Sequence, residues 1–173
     1  MAEKHVLKKQ LELVRFEKTA EYIQAAAYGH KKHLNVPELA QINNMLTGHN
    51  DDPWRVESVS LKLPSGRVET LSMITNPIFE ARDIIFRARD DAEQDNFTEA
   101  ATYLYSQLVL KHFFKDANRR TAVAATFWLL LERDIEIPAM GLLQLGLGDI
   151  RMEKQLVTLE GLIAHTIALA NKE

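Results

Sequence analysis

The run from Thr121 to Leu131, TAVAATFWLLL, is apolar on almost every face of a helix. A helix without a polar face has to be buried all round, so other helices must surround it. Glu132, Arg133 and Asp134 close it, and Pro138 ends the neighbourhood. The rest of the chain supplies the surroundings. Val6, Leu7, Leu11, Val14, Ala25 and Tyr28 follow helical spacing, with Gly29 as a natural stop. Pro37 to Leu46 predicts a shorter helix with Leu39, Ile42, Met45 and Leu46 inward, followed by a loop over Gly48 to Pro53. Asn76 before Pro77 suits a cap and first helical position, and Ile78, Phe79, Ile84, Ile85 and Phe86 then supply an apolar face. Asn96 and Glu99 have capping-box spacing and open a helix that should end near His112. Leu142 to Leu147 and Glu153 to Ala170 give one short and one long helical pattern, with Gly146 and Gly148 as the break.

One segment differs in kind. Val59, Leu61 and Leu63 alternate with Ser58, Ser60 and Lys62; turn formers Pro64, Ser65 and Gly66 follow, and Arg67 to Met73 is a second extended run. This predicts a single β-hairpin. Two strands alone are marginal in water, so the hairpin must lie on the helical body, with an outer edge free to pair with an extended peptide. The other reading of the segment is a simple connector. The fold class is therefore mainly α with one β-hairpin.

At 173 residues the chain is long enough for one domain with one core. A formal net charge of −3 gives no long-range attraction to nucleic acid or to an anionic membrane, and no apolar stretch is long enough to cross a bilayer. The absence of cysteine removes disulfides, thiolate nucleophiles and sulfur ligands, which fits a reducing cytoplasm. The start, MAEKHVLKKQ, lacks the apolar core of a secretory signal, so a cytoplasmic location is expected.

The chemistry concentrates in the turn before the apolar helix, His112-Phe113-Phe114-Lys115-Asp116-Ala117-Asn118-Arg119-Arg120-Thr121. A helix starting near Asn118 aims unpaired N–H groups and its positive dipole end into this turn, which makes an anion site suited to phosphate. Asp116 is a hard oxygen ligand of the kind that holds Mg²⁺ together with substrate phosphates. Arg120 can add paired donors to a phosphate oxygen. Arg119 and Arg120 at a helix start oppose the dipole, a cost that an anionic ligand would offset, so both join Asn118 as candidate phosphate-binding residues. His112 is the side chain here suited to take a proton from a hydroxyl near neutral pH. These pieces add up to phosphoryl-type transfer.

The turn resembles the Fic/Doc family motif HxFx(D/E)(G/A)NxR, met here by His112, Phe114, Asp116, Ala117, Asn118 and Arg120. The resemblance extends over about residues 35–135, through Trp54, Arg55, the hairpin and the helix from Asn96. It implies a single Fic-fold helical domain over 1–173, with an N-terminal helical region over 1–34 and C-terminal helices over 136–173. It also implies ATP and Mg²⁺ as cofactors and a protein substrate with an exposed Ser, Thr or Tyr hydroxyl. His112 would then be the base, Asp116 the metal ligand, Asn118 and Arg120 phosphate holders, and Phe114 the anchor of the loop. The hairpin, through Val59, Ser60, Leu61, Lys62 and Leu63, would dock the target segment by strand pairing.

Members that transfer AMP read HPFx(D/E)GNGRxxR, whereas this chain has Phe113, Ala117, Arg119 and Val123 at four of those positions. Arg119 brings bulk where a glycine lets the backbone approach phosphate. Its DANRR is similar to the DANKR of Doc-type toxins, which phosphorylate their target, so phosphoryl transfer and AMP transfer both stand, with the motif pointing to the first. The family's self-inhibitory pattern, (S/T)xxxE followed by Gly or Asn, is not met: Glu160-Gly161 ends correctly, but position 156 is Leu. A separate antitoxin is the corresponding expectation. The competing function is a Fic-fold binding module without catalysis, against which an intact His112 argues.

Other features have plainer readings. His30 and His33 could share a helix face but have no third ligand at a convincing spacing, so they read as solvated histidines. Gly146-Leu147-Gly148 has neither the preceding strand nor the following lysine of a phosphate loop. Phe127 and Trp128 read as core, and Lys31-Lys32 is too short to mean nucleic acid.

Overall fold

The computed structural model describes residues 2–63, 66–137 and 149–170. Its helices are α1 (Ala2–Gln24), α2 (Val36–Thr47), α3 (Pro77–Glu93), α4 (Phe97–Lys111), α5 (Asn118–Leu131) and α6 (Glu153–Ala170). A π-helical turn, Ala25–Gly29, ends the first helix where Gly29 was expected to stop it. Strands β1 (Val59–Lys62) and β2 (Val68–Leu71) pair antiparallel, with Val59 opposite Leu71 and Lys62 opposite Val68. The short pattern Leu142–Leu147, the Gly146–Gly148 break and the turn residues Pro64 and Ser65 lie outside the described residues.

Helix α5 is the centre that its composition requires. Every residue from Thr121 to Leu131 is buried, and α1, α2 and α4 pack around it, while α3 and α6 pack on the outside of α4. The indole of Trp128 is fully buried and sheds its one polar atom by donating Nε1–H to the carbonyl of Lys32 at 3.1 Å. Helix ends follow local chemistry. Asn35 Oδ1 accepts Glu38 N–H at 3.0 Å to cap α2, and Asn76 Oδ1 accepts Phe79 N–H at 3.1 Å to cap α3. Gly48, at φ 74°, closes α2 in the left-handed conformation, with Arg15 lying where a Cβ would go.

Three expectations need correction. Asn96 precedes α4 but makes no side-chain capping bond, so the capping box does not form. Ile78, Phe79 and Phe86 are exposed; α3 buries Ala81, Ile84, Ile85, Ala88 and Ala92 instead. His30 and His33, read as solvated, are both exposed in the link after the π turn, and His33 Nδ1 meets Glu132 at 3.0 Å. Leu63 lies beyond the end of β1 with its side chain buried. Its N–H donates to Arg67 O at 2.8 Å as part of the turn, so it is not offered to a docked peptide.

Candidate active site

The loop between α4 and α5 is built by its neighbours as well as by its own sequence. Residues 53–55 run antiparallel to 113–115: Arg55 N–H donates to Phe113 O at 2.8 Å, and Lys115 N–H donates to Pro53 O at 3.0 Å. Trp54 stacks on Phe114 with ring centroids 4.8 Å apart and meets Phe113 edge-on at 6.3 Å. Phe113, Phe114 and Trp54 are all buried, so the first half of the loop is anchored in the core.

Asn118 turns the loop. Its Oδ1 accepts Phe114 N–H at 2.8 Å and its Nδ2 donates to Phe114 O at 2.7 Å, an amide clasp that is 6% exposed. The side chain expected to hold phosphate is thus engaged with the loop backbone. Ala117 takes a left-handed conformation, φ 57°, before α5 begins. A buried residue of α2, Asn43, reinforces the turn by donating to Asp116 O and to Thr121 Oγ1, both at 2.9 Å.

His112 caps α4 in a left-handed conformation, φ 55° and ψ 54°, unusual for a residue with a Cβ. Such a conformation persists only where its surroundings over-determine it, and the structure identifies the surroundings. Arg55, 5% exposed, donates to four carbonyls: His112 at 2.8 Å, Glu57 at 2.5 Å, Ser72 at 3.0 Å and Lys111 at 3.4 Å. Two of these are the orphan carbonyls at the negative end of α4, so a buried cation is well placed there. The other two flank the hairpin, and one guanidinium therefore ties the hairpin to His112. The His112 pKa lies below its ordinary value because burial disfavours the imidazolium and Arg55 repels it, while nearby Asp116 acts in the opposite direction.

Asp116 is exposed, and its Oδ1 accepts the N–H of Ala117 at 2.5 Å. It lines a cleft of about 160 Å³ with Asn43, Asn44, Thr47, His49, Asp51, Pro53 and Lys115. A second cleft of about 350 Å³ lies between the loop and the base of the hairpin, lined by Arg55, Val56, Glu57, Ser58, Val59 and Lys115. Among the described residues no three His, Asp or Glu side chains cluster as a metal cage. A single carboxylate beside a helix N-terminus has the donor chemistry that suits Mg²⁺ shared with phosphates.

The two arginines diverge. Arg119 is exposed and hydrogen-bonds the buried Tyr105 of α4. Arg120 Nη2 stands 3.8 Å from Glu12 of α1, and its Nη1 is buried with no hydrogen-bond partner among the described residues. In the hairpin, Val59 and Leu61 are half-buried, whereas Ser60 and Lys62 face solvent. Arg151 pairs with Glu69 across the other strand.

Arg55, Asn43 and Glu12 were not singled out as site residues by sequence reasoning. Of the three, Arg55 alone was named, together with Trp54, among the residues that extend the family resemblance. Among the described residues no helix is long and apolar enough to cross a membrane.

The family model described as the Fic/DOC family matches residues 33–130. A Fic domain containing signaling protein from Bacteroides thetaiotaomicron VPI-5482 superposes with a TM-score of 0.69 at 15% identity, covering 95% of this chain and 72% of that one. At that identity the likeness shows the fold. No curated protein matches the chain.

Proposed function

The chain belongs to the Fic/DOC family, and from that premise we propose that it is a transferase using ATP and Mg²⁺ to modify a Ser, Thr or Tyr hydroxyl of another protein. The observation that carries this reading is the buried Nη1 of Arg120, which has no hydrogen-bond partner among the described residues, in the helix turn that follows the His112 loop. A hydrogen-bond donor buried without an acceptor costs free energy, and a phosphate oxygen removes that cost.

Neutral His112 takes the proton of the incoming hydroxyl as its oxygen bonds to phosphorus and the bond to the leaving phosphate oxygen breaks. The N–H groups opening α5 and Arg120 hold the phosphates, and Asp116 would hold the metal. Mg²⁺, when bound, supplies positive charge that neutralises the transferring group. Asn118 and Asn43 keep the loop in the shape that aims these donors, and Arg55 fixes His112. The free edge of β1, with Ser60 and Lys62 outward, receives an extended target segment by strand pairing.

DANRR favours attack at the γ phosphorus over the α phosphorus. The bond from Arg119 to Tyr105 supports this reading, because it fixes an arginine where AMP-transferring members have glycine. We read the chain as a cytoplasmic toxin held in check by an antitoxin. The nucleotide half of the reading is tested by titrating ATP, with and without Mg²⁺, into the wild-type chain and Arg120→Ala. Mg²⁺-dependent binding that weakens about tenfold or more in the variant is expected, whereas equal binding by both chains would overturn the phosphate role.

A further inference from the structure

Helix α3 buries Ala81, Ile84, Ile85, Ala88 and Ala92 on one face and leaves two phenylalanines exposed on another. Phe86 is 72% exposed and Phe79 49%, the reverse of what burial favours. With Arg82 and Asp83 they stand at i, i+3, i+4 and i+7, the spacing of one continuous stripe. All four are exposed, and none belongs to the site described above. In the single chain their contacts are local: the Arg82 guanidinium lies 4.3 Å over the Phe79 ring and Nη2 reaches its neighbour Asp83 at 3.4 Å.

The order Phe, Arg, Asp, Phe has a property that a random exposed stripe lacks. When two such helices pack antiparallel about a two-fold axis passing between Arg82 and Asp83, residues equidistant from the axis meet. Phe79 then faces Phe86 of the second copy, Arg82 faces its Asp83, and both pairs occur twice. Apolar meets apolar and positive meets negative. A parallel pairing would instead set Arg82 against Arg82 and Asp83 against Asp83. Self-complementarity under a two-fold axis is the requirement for an isologous dimer. We propose that the exposed face of α3 is a homodimer interface, with Phe79 and Phe86 as its apolar anchors and two Arg82–Asp83 pairs setting its register. A seam of two helices lies at the small end of the about 1,200–2,000 Å² that stable complexes bury, so the dimer should depend on concentration.

The test is sedimentation equilibrium of the full chain over a concentration series. The wild-type mass should rise from one chain, 19.7 kDa, toward twice that. Arg82→Asp and Asp83→Arg should each weaken association at least about tenfold, because each sets like charges across the axis. Mixing the two variants restores both opposite-charge pairs, so the mixture should dimerise although neither variant does alone. That recovery also shows that both variants are folded. A wild-type mass fixed at one chain, a dimer that survives either reversal, or a mixture that fails to associate each overturns the proposal.

Discussion

Arg55 Nε donates to the carbonyl oxygen of His112 at 2.8 Å, joining residues 57 positions apart in the sequence. The same guanidinium reaches the carbonyls of Glu57 and Ser72 beside the hairpin, so the surface that would receive a target and the base that would act on it share one buried cation. Arg55→Met should leave these carbonyls unpaired and cost at least about 3 kcal/mol of stability, with activity falling together with it. Arg55→Lys keeps the charge but cannot reproduce the fork and should recover only part of the loss. Chemical denaturation of the three chains measures the difference.

The Asn118 clasp makes a sharper prediction, because its two bonds run in opposite senses. Asn118→Ala removes both and should cost about 2–3 kcal/mol. Asn118→Asp keeps an acceptor for Phe114 N–H but sets a carboxylate oxygen against the Phe114 carbonyl, so it should be no more stable than the alanine variant. Thermal unfolding compares them, and near-wild-type stability in the aspartate variant would refute the clasp.

The burial of His112 and its proximity to Arg55 hold its pKa below the ordinary 6.5. A base acts when neutral, so lowering its pKa extends the active range toward acid. The acidic midpoint of the rate should therefore fall below 6.5. The stability sign agrees: the unfolded chain takes up its proton first as pH falls through about 6.5, so the His112 contribution is present above that pH and lost below it. A kcat/KM profile with its acidic midpoint at or above 6.5 would contradict this environment.

Glu12 and Arg120 stand 3.8 Å apart with side chains 33% and 23% exposed, a partly solvated pair. Occupying the arginine this way would compete with the phosphate proposed to bind it. Glu12→Gln should therefore tighten ATP binding, but by no more than about fivefold, since such pairs contribute about 0–1 kcal/mol. Calorimetric titration of the two chains reads the change.

The sequence held the parts of this arrangement that are written locally. The all-apolar helix from Thr121, the Asn76-Pro77 start, the alternating hairpin and the His112–Arg120 motif all lie within a few turns of chain. The α3 face was misassigned because two apolar stripes share that helix, and its buried stripe is carried partly by Ala81, Ala88 and Ala92, which look unremarkable beside Phe79 and Phe86. Contacts such as Asn43 with Thr121, Glu12 with Arg120 and Arg55 with His112 depend on how helices pack, and no local spacing encodes them. Asn118 was legible as a site residue, but its bonds to Phe114 emerge only from the folded turn.

The most direct measurement is label transfer. The purified chain is incubated with Mg²⁺ and lysate protein, in parallel with ATP labelled at the α or the γ phosphorus, alongside His112→Ala. Catalysis at His112 with attack at the γ position requires a protein labelled from γ only, and no labelled protein with His112→Ala. Labelling that persists unchanged in His112→Ala would contradict catalysis at His112, and no transfer from either position would contradict the transferase reading and favour the Fic fold here as a binding module.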